Sequence, residues 1–387
     1  METIFNKLHP KIQEILQSKG IDVPTEPQIK AIGPILEGKN VLLIAPTGLG
    51  KTESVLLPIF HNFLIDKNSN KKTGISILYI TPLRALNRDM LRRTFEWAEK
   101  LGFSVAVRHG DTSEKDRARQ AKHPPDMLIT TPETFQILFT GKRLREHLKK
   151  VRYVIIDEIH ELASDERGAQ LAVGLERLEE LRKDCDMPSF QRIGLSATIG
   201  DAKEVAKFLG GVENSSFRKV EIIEAYTSKD IKIWVEKPKA EKEDQILAKS
   251  LSIELDSLAA LKRCKELIDK HNSTLLFVNT RDTAEILASR YNLLEKDVTI
   301  EVHHGSLSKE NRMKAEDDFK NGKIKSLICT SSLELGIDIG DTDFVIQYNS
   351  PRQVTRLIQR VGRSGHRIGE TSEGVIITNK VEDLAES

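Results

Sequence analysis

Cysteine, aromatic side chains, net charge and long apolar runs are all scarce in this chain of 387 residues. Cys185, Cys264 and Cys329 are its only cysteines, and they stand too far apart for a zinc-ligand pattern or a disulfide framework, which points to thiols in a reducing compartment. No stretch approaches the roughly 18 to 20 consecutive apolar residues that a membrane-spanning helix needs. The opening Met1-Glu-Thr-Ile-Phe5 has no basic segment leading into an apolar one, so a cytoplasmic protein is expected rather than a secreted one. Aromatics make up 5% of the residues, and the two tryptophans, Trp97 and Trp234, are expected to pack against protein rather than stack on bases. Net charge is +1, from 59 basic and 58 acidic residues, so any groove for a polyanion has to be a local feature. The densest basic run, 142–152, holds six Lys or Arg and one acid and reads as the solvated face of a helix.

What is present is a globular composition, 39% hydrophobic and 30% charged, in a chain long enough for two or three domains with separate cores. Short β-branched runs recur at 41–44, 77–80, 127–130, 153–156 and 192–196, and again at 274–278, 298–301, 326–330, 344–348 and 374–378. Their near-continuous apolar character predicts parallel sheets covered on both faces, and the helical segments between them predict βαβ units. Between the two series, Glu236-Lys-Pro-Lys-Ala-Glu-Lys-Glu-Asp-Gln245 is charged and almost free of apolar residues. The expectation is an α/β fold with one domain over 1–215, a linker over 216–245 and a second domain over 246–387.

Two motifs carry chemistry. Ala45-Pro-Thr-Gly-Leu-Gly-Lys-Thr52 follows one apolar strand and opens a helix. Its glycines let backbone N–H groups turn inward around phosphates where a β-carbon would clash, and the helix N-terminus favours anions. Pro46, Thr47, Gly48 and Gly50 would form the cradle, Lys51 would reach the β- and γ-phosphates, and Thr52 would ligate Mg2+. Ala45 stands where the usual pattern begins with glycine. Asp157-Glu-Ile-His160 follows a second strand, at the edge where open α/β sheets bind ligands. An acidic pair there reads either as a helix N-cap or as catalytic, with Asp157 holding magnesium and Glu158 orienting and deprotonating the attacking water. The phosphate loop favours the second reading, hydrolysis of a nucleoside triphosphate. That reaction also needs positive charge on the γ-phosphate. Arg360 and Arg363, in Gln359-Arg-Val-Gly-Arg-Ser-Gly-His366, offer it from the second domain; the bland alternative is a basic helix start with glycine turns. His303-His304 has no third ligand at metal-binding spacing.

In their order and spacing these motifs resemble those of superfamily 2 helicases, over essentially the whole chain. Thr25-Glu-Pro-Gln28 is similar to the motif that reads adenine through a glutamine. Thr81-Pro-Leu-Arg-Ala-Leu86, His109-Gly-Asp-Thr112 and Thr130-Thr-Pro-Glu133 resemble the strand-tracking motifs of the first domain, and Ser196-Ala-Thr198 resembles motif III. Phe277-Val-Asn-Thr-Arg281, Thr330-Ser-Ser-Leu-Glu-Leu-Gly-Ile-Asp338 and the 359–366 segment resemble motifs IV, V and VI. The Asp-Glu-Ile-His wording and motifs V and VI are most similar to the Lhr (large helicase-related) group. Three departures from the DEAD-box pattern stand out. Leu335 precedes the motif V glycine in place of an arginine. His366 replaces the final arginine of motif VI, which makes Arg363 the safer arginine finger. The 339–358 stretch is too short for the strand-separating hairpin of some processive relatives.

The resemblance implies two tandem RecA-like domains with an ATP site in the cleft between them, and ATP and Mg2+ as cofactors. Gln28, Gly336, Asp338, Arg363 and His366 would join the phosphate loop and acidic pair around the nucleotide. Ser196 and Thr198 would couple domain closure to a single strand of nucleic acid, gripped by its phosphates through Arg84, Gly110, Thr131, Thr280, Arg281, Gly305 and Thr330. These donors read no base edge, so binding should be sequence-independent and strongly salt-dependent. The expected activity is that of an ATP-hydrolysing helicase or translocase on single-stranded or tailed DNA, travelling 3′ to 5′, with a part in DNA repair. Since phosphate contacts do not discriminate sugars, an RNA or RNA–DNA remodeller stays open. So does a strand-annealing module indifferent to ATP; a transporter ATPase or GTPase would have no use for motifs IV to VI. Lhr-type proteins normally continue into winged-helix and further accessory domains, and both a piece of such a protein and a minimal form stay open for this chain.

Overall fold

A computed structural model of the protein describes residues 3–46, 49–69, 74–82, 88–163, 166–197, 200–225, 230–294, 300–334, 342–365 and 371–387. The chain divides into two compact units, Met1–Thr227 and Ser228–Ser387.

The first unit is built on β1 (Val41–Ile44), β2 (Ile77–Ile80), β3 (Val105–Arg108), β4 (Met127–Thr130), β5 (Tyr153–Ile156) and β6 (Gln191–Ser196), followed by β7 (Val212–Glu213), β8 (Ser216–Phe217) and β9 (Glu221–Glu224). Seven of these form one parallel sheet in the order β3-β4-β2-β5-β6-β1-β9, while β7 and β8 make a small antiparallel hairpin. The Val-Leu-Leu-Ile of β1 explains the layering. Val41 and Leu43 enter a core with residues of the helices Pro10–Ser18, Glu26–Leu36, Lys51–Ser69 and Arg88–Leu101. Leu42 and Ile44 enter the opposite core, with the helices Pro132–Leu138, Glu166–Lys183 and Ala202–Gly210. Burial of each such side chain is worth roughly 1.5–3 kcal/mol, so a strand that is apolar on both faces commits the sheet to helices on both sides.

The second unit contains β10 (Ile231–Glu236), β11 (Thr274–Phe277), β12 (Ile300–His303), β13 (Ser326–Cys329), β14 (Phe344–Tyr348) and β15 (Ser372–Ile377). They form a parallel sheet in the order β10-β15-β14-β11-β13-β12. Leu276, Ile328, Ile346 and Val375 face the helices Asp244–Leu251, Leu255–Lys270 and Arg281–Leu294. Leu275, Phe277, Leu327 and Val345 face Lys309–Lys320 and Val354–Val361. Each unit is thus a RecA-like layered α/β domain.

Several sequence expectations need correction. The segment 216–245 is not a bare linker: it supplies β9 to the first sheet, β10 to the second, and the start of a helix at Asp244. The strand expected at 298–301 is described over Ile300–His303, and residues 298 and 299 lie outside the described residues. β3, β9 and β10 were not foreseen. The basic run does form a helix, Lys142–Leu148, with Leu144 and Leu148 buried and Lys142, Arg143 and Arg145 exposed. Trp97 is buried in the first core, and Trp234 packs on Phe344 with ring centroids 5.6 Å apart. Among the described residues no helix is long and apolar enough to cross a membrane.

Because every strand in each main sheet is parallel, all C-terminal strand ends of a unit lie along one edge. The described chemistry-bearing motifs after strands sit on that edge.

Candidate nucleotide and nucleic-acid site

The phosphate loop leaves β1 through Ala45 and Pro46 and enters the helix at Lys51, with Thr52 in its first turn. Thr47 and Gly48 lie outside the described residues. The Ala45 amide donates to the carbonyl of Ser196 at the end of β6 (3.0 Å), which fixes the loop's start against the neighbouring strand. Gln28, on the helix Glu26–Leu36, is buried; its Oε1 accepts the Thr25 amide (2.9 Å), and Thr25 Oγ1 donates to the Leu49 carbonyl (2.9 Å). The glutamine therefore caps its own helix while lying against the loop. Gly50 adopts φ +71°, and a Cβ there would stand 2.9 Å from Gln28 Nε2. Left-handed backbone costs a side-chain-bearing residue about 1–2 kcal/mol. Gly50→Ala should lower stability in chemical denaturation by about that amount and weaken nucleotide binding in a fluorescence titration; unchanged values in both would exclude a structural demand for glycine.

The acidic pair follows β5. The Asp157 amide donates to the carbonyl of Ile80 on β2 (2.8 Å). Its Oδ1 accepts the Glu158 amide (3.0 Å) and its Oδ2 accepts the Tyr79 hydroxyl (2.7 Å). Glu158 occupies the N-cap position of the short helix Ile159–Leu162 with φ 47° and ψ 45°, but its side chain makes no capping bond. It turns instead toward the buried Lys51, whose Nζ lies 3.4 Å from Glu158 Oε1. His160 Nδ1 lies 2.8 Å from Ser196 Oγ and 3.6 Å from Glu158 Oε2. Burial holds the His160 pKa below its usual value, against the opposing charge of Glu158. Ser196 thus meets the phosphate loop through its carbonyl and the acidic box through its hydroxyl; Thr198 lies outside the described residues.

Lys51 and Glu158 are buried together here, with the half-buried Asp157 beside them. Burial first, and then the charge of Glu158, push the Asp157 carboxyl up to about 6, against the pull of Lys51, the Tyr79 hydroxyl and the Glu158 amide. A carboxylate so placed gains from a nearby cation. Mg2+ takes one or two carboxylates together with phosphate oxygens rather than an all-protein cage. Among the described residues no group of three or more His, Cys, Asp or Glu could hold a metal by itself. Asp157, with Thr52 opening the helix after the loop, fits that ion.

Further along the same edge, β4 and β3 lie side by side and present Thr131 and Gly110. Thr131 is buried and its hydroxyl caps the helix Pro132–Leu138 by accepting the Thr134 amide (3.4 Å). The Gly110 carbonyl accepts from Arg117 Nη2 (2.7 Å). Arg167 braces the region, donating to Glu133 Oε1 (2.7 Å) and to the Pro82 carbonyl (2.6 Å). Arg84 lies outside the described residues.

In the second unit, β11, β13 and β12 are neighbours, and the residues after them are Thr280 and Arg281, Thr330, and Gly305 respectively. Arg281 Nη1 donates to Ser306 Oγ (2.5 Å), tying the loops after β11 and β12, and the Thr330 amide donates to the His303 carbonyl (3.3 Å). Thr280, Arg281 and Gly305 are exposed. His303 and His304 are buried and meet different carboxylates, Glu316 (2.9 Å) and Glu285 (2.7 Å).

Arg360 and Arg363 are 1% and 2% exposed. Arg360 donates to Glu334 Oε1 through Nε (2.7 Å) and Nη2, and through Nη1 to Asn279 Oδ1 (3.2 Å) and Gln347 Oε1. Its guanidinium also stacks on Phe277, 5.2 Å from the ring centroid. The sequence grouped Arg360 with the catalytic residues. Here it is the pin that gathers the ends of three strands: four of its hydrogen bonds run to three side chains around it, which offsets the cost of burying a guanidinium. Arg363 Nη2 donates to the Glu334 carbonyl (2.6 Å). Gly336, Asp338 and His366 lie outside the described residues.

Comparison with known proteins bears on these motifs. The family model for DEAD/DEAH box helicases matches residues 25–206, and the helicase conserved C-terminal domain matches 259–369. The chain is 40% identical over its whole length to ATP-dependent helicase Lhr-Core protein 2 of Thermococcus barophilus. It is 38% identical over 93% of its length to the Lhr helicase/probable uracil glycosylase of Mycolicibacterium smegmatis. Among solved structures, that of Mycobacterium smegmatis helicase Lhr bound to ssDNA and AMP-PNP aligns over 99% of this chain with a TM-score of 0.81 and 36% identity. The chain belongs to the Lhr group of superfamily 2 helicases. It spans 45% of the Thermococcus protein, 26% of the Mycolicibacterium one and 49% of the solved chain.

For an Lhr-group chain, sequence reasoning overlooked Tyr79, Glu334, Asn279 and Gln347. The hydroxyl in the otherwise apolar Ile77-Leu-Tyr-Ile80 was the one available signal, since a buried tyrosine needs a polar partner. Which partner depends on the pairing of β2 with β5, where Tyr79 lies opposite Ile155.

Proposed function

We propose that this chain is the ATP-driven motor core of an Lhr-group helicase, acting on single-stranded or tailed nucleic acid and favouring DNA. One observation carries the reading. Along a single sheet edge of the first unit, the phosphate loop and the acidic pair are joined through Ser196 and His160, and the same edge continues into Thr131 and Gly110. Lys51 neutralises the β- and γ-phosphates of ATP, and Glu158, 3.4 Å from it, orients and deprotonates the attacking water. Asp157 and Thr52 hold Mg2+, which when bound offsets the charge of the phosphate oxygens. From the second domain, Arg363 would supply the positive charge that the γ-phosphate needs in the transition state, and the family resemblance gives Gly336, Asp338 and His366 roles toward the nucleotide. The phosphate-directed donors Thr280, Arg281, Gly305 and Thr330 hold the strand from that side, independent of sequence. Travel 3′ to 5′ and a role in DNA repair follow from the Lhr resemblance, and the ssDNA and AMP-PNP complex of the mycobacterial relative supports DNA as the track.

The test is steady-state ATPase activity with no polymer, with single-stranded DNA and with RNA of equal length. Stimulation by DNA, weakening steeply as salt rises, is expected. Greater stimulation by RNA would favour an RNA remodeller, and stimulation by neither would defeat the motor.

A further inference from the structure

The contact between Tyr79 and Asp157 has no counterpart among the roles assigned above. Tyr79 lies on the interior strand β2, fully buried, and its hydroxyl donates to Asp157 Oδ2 at 2.7 Å. The other carboxylate oxygen accepts the Glu158 amide at 3.0 Å, and the Asp157 amide is tied to the Ile80 carbonyl at 2.8 Å. The carboxylate therefore has one hydrogen bond on each oxygen and a backbone anchor, which together define the plane of the group. The ring is held as firmly as the hydroxyl: Tyr79 belongs to the core that contains Ile77, Met127, Ile129 and Ile155. Burial and the nearby carboxylates hold its pKa well above the usual phenol value, so it acts as a donor. An apolar side chain would fill the same core position; the oxygen atom earns its place only by what it binds.

We propose that Tyr79 is a positioning residue for magnesium, setting the orientation of the Asp157 carboxylate from behind. This rests on the reading of Asp157 as the magnesium-holding carboxylate. A metal-binding carboxylate that can rotate has to be ordered when the ion arrives, and partners of that kind are typically worth 10–100-fold in metal affinity.

The experiment titrates Mg2+ into the full chain with a fluorescent ATP analogue at fixed concentration, for the unaltered protein, Tyr79→Phe and Tyr79→Leu. Nucleotide binding in EDTA and thermal melting are measured beside it. Tyr79→Phe keeps the ring and removes only the oxygen. The expected result is a Mg2+ midpoint raised about tenfold or more, with EDTA binding and melting temperature close to those of the unaltered protein. Tyr79→Leu should show the same rise in midpoint together with a lower melting temperature. A Tyr79→Phe midpoint within about twofold of the unaltered chain, well short of that range, would overturn the inference even if Tyr79→Leu shifts, because the residue would then act through packing alone. If the unaltered chain binds nucleotide without regard to Mg2+, the reading of Asp157 itself fails, and this inference with it.

Discussion

Lys51→Ala and Glu158→Gln should each remove ATP turnover in the presence of saturating single-stranded DNA, with a loss of about a hundred- to ten-thousand-fold for the glutamine variant. The glutamine keeps the size of the side chain and can still meet Lys51, so the fold should hold. Removing the Glu158 charge also takes away one of the two influences that push the Asp157 carboxyl up to about 6. Asp157 should then ionise more readily, and Glu158→Gln should bind Mg2+ and ATP at least as well as the unaltered chain. This separates the two variants. Lys51→Ala leaves the buried Glu158 and its neighbour Asp157 without their ammonium and should lose nucleotide affinity as well as turnover. Steady-state ATPase assays and equilibrium binding, run side by side, check both. Turnover by Glu158→Gln within about tenfold of the unaltered chain would remove Glu158 from the chemistry.

Glu334→Ala should destabilise the second unit by about 3–5 kcal/mol, because it strands a buried guanidinium. Arg360 is 1% exposed and Glu334 5%; their ion pair is among the most deeply buried in the chain, with side-chain exposures of 2% and 6%. The desolvation cost of the arginine persists after its partner is gone, and Asn279 and Gln347 are neutral. Replacing both partners with apolar residues, Arg360→Leu with Glu334→Met, should cost less than the single change, because no charge is left behind. The sequence contains a convenient reporter. Its two tryptophans fall one in each unit, Trp97 in the first and Trp234 in the second. In a Trp97→Phe background, urea unfolding followed by Trp234 fluorescence reads the second unit. If Glu334→Ala unfolds at the same denaturant concentration as its parent, the pair does not hold the motif.

The strands the sequence revealed and the ones it concealed divide by position in the sheet. β1, β2, β4, β5 and β6 are interior strands with apolar residues on both faces, and their runs stood out. β3 and β9 are the two edges of the first sheet and β10 is an edge of the second. An edge strand is half covered, so Ile231-Lys-Ile-Trp-Val-Glu236 carries charge and Glu221-Ile-Ile-Glu224 is flanked by it. Both fell inside the stretch expected to be a linker. The site divides differently. Lys51, Asp157 and Glu158 were proposed because phosphate chemistry asks for particular residue types at particular spacings, and Gln28 because its surroundings resemble a family motif. Arg360 was identified by type alone, and type does not distinguish a guanidinium that faces a ligand from one whose hydrogen bonds run to its own domain. That depends on Asn279, Glu334 and Gln347, which lie 81, 26 and 13 residues away along the chain.

Glu158 sits at φ 47° and ψ 45°, a conformation that costs a non-glycine residue about 1–3 kcal/mol. Glycine or asparagine would relax that backbone. Variants chosen for resistance to heat or denaturant alone would therefore drift toward those residues at position 158, becoming hardier as they lose the carboxylate. Glu158 is one of seven described non-glycine residues with positive φ, and the only one of them to which we give a part in the proposed chemistry. Attempts to stabilise this chain should hold position 158 fixed and look for gains elsewhere.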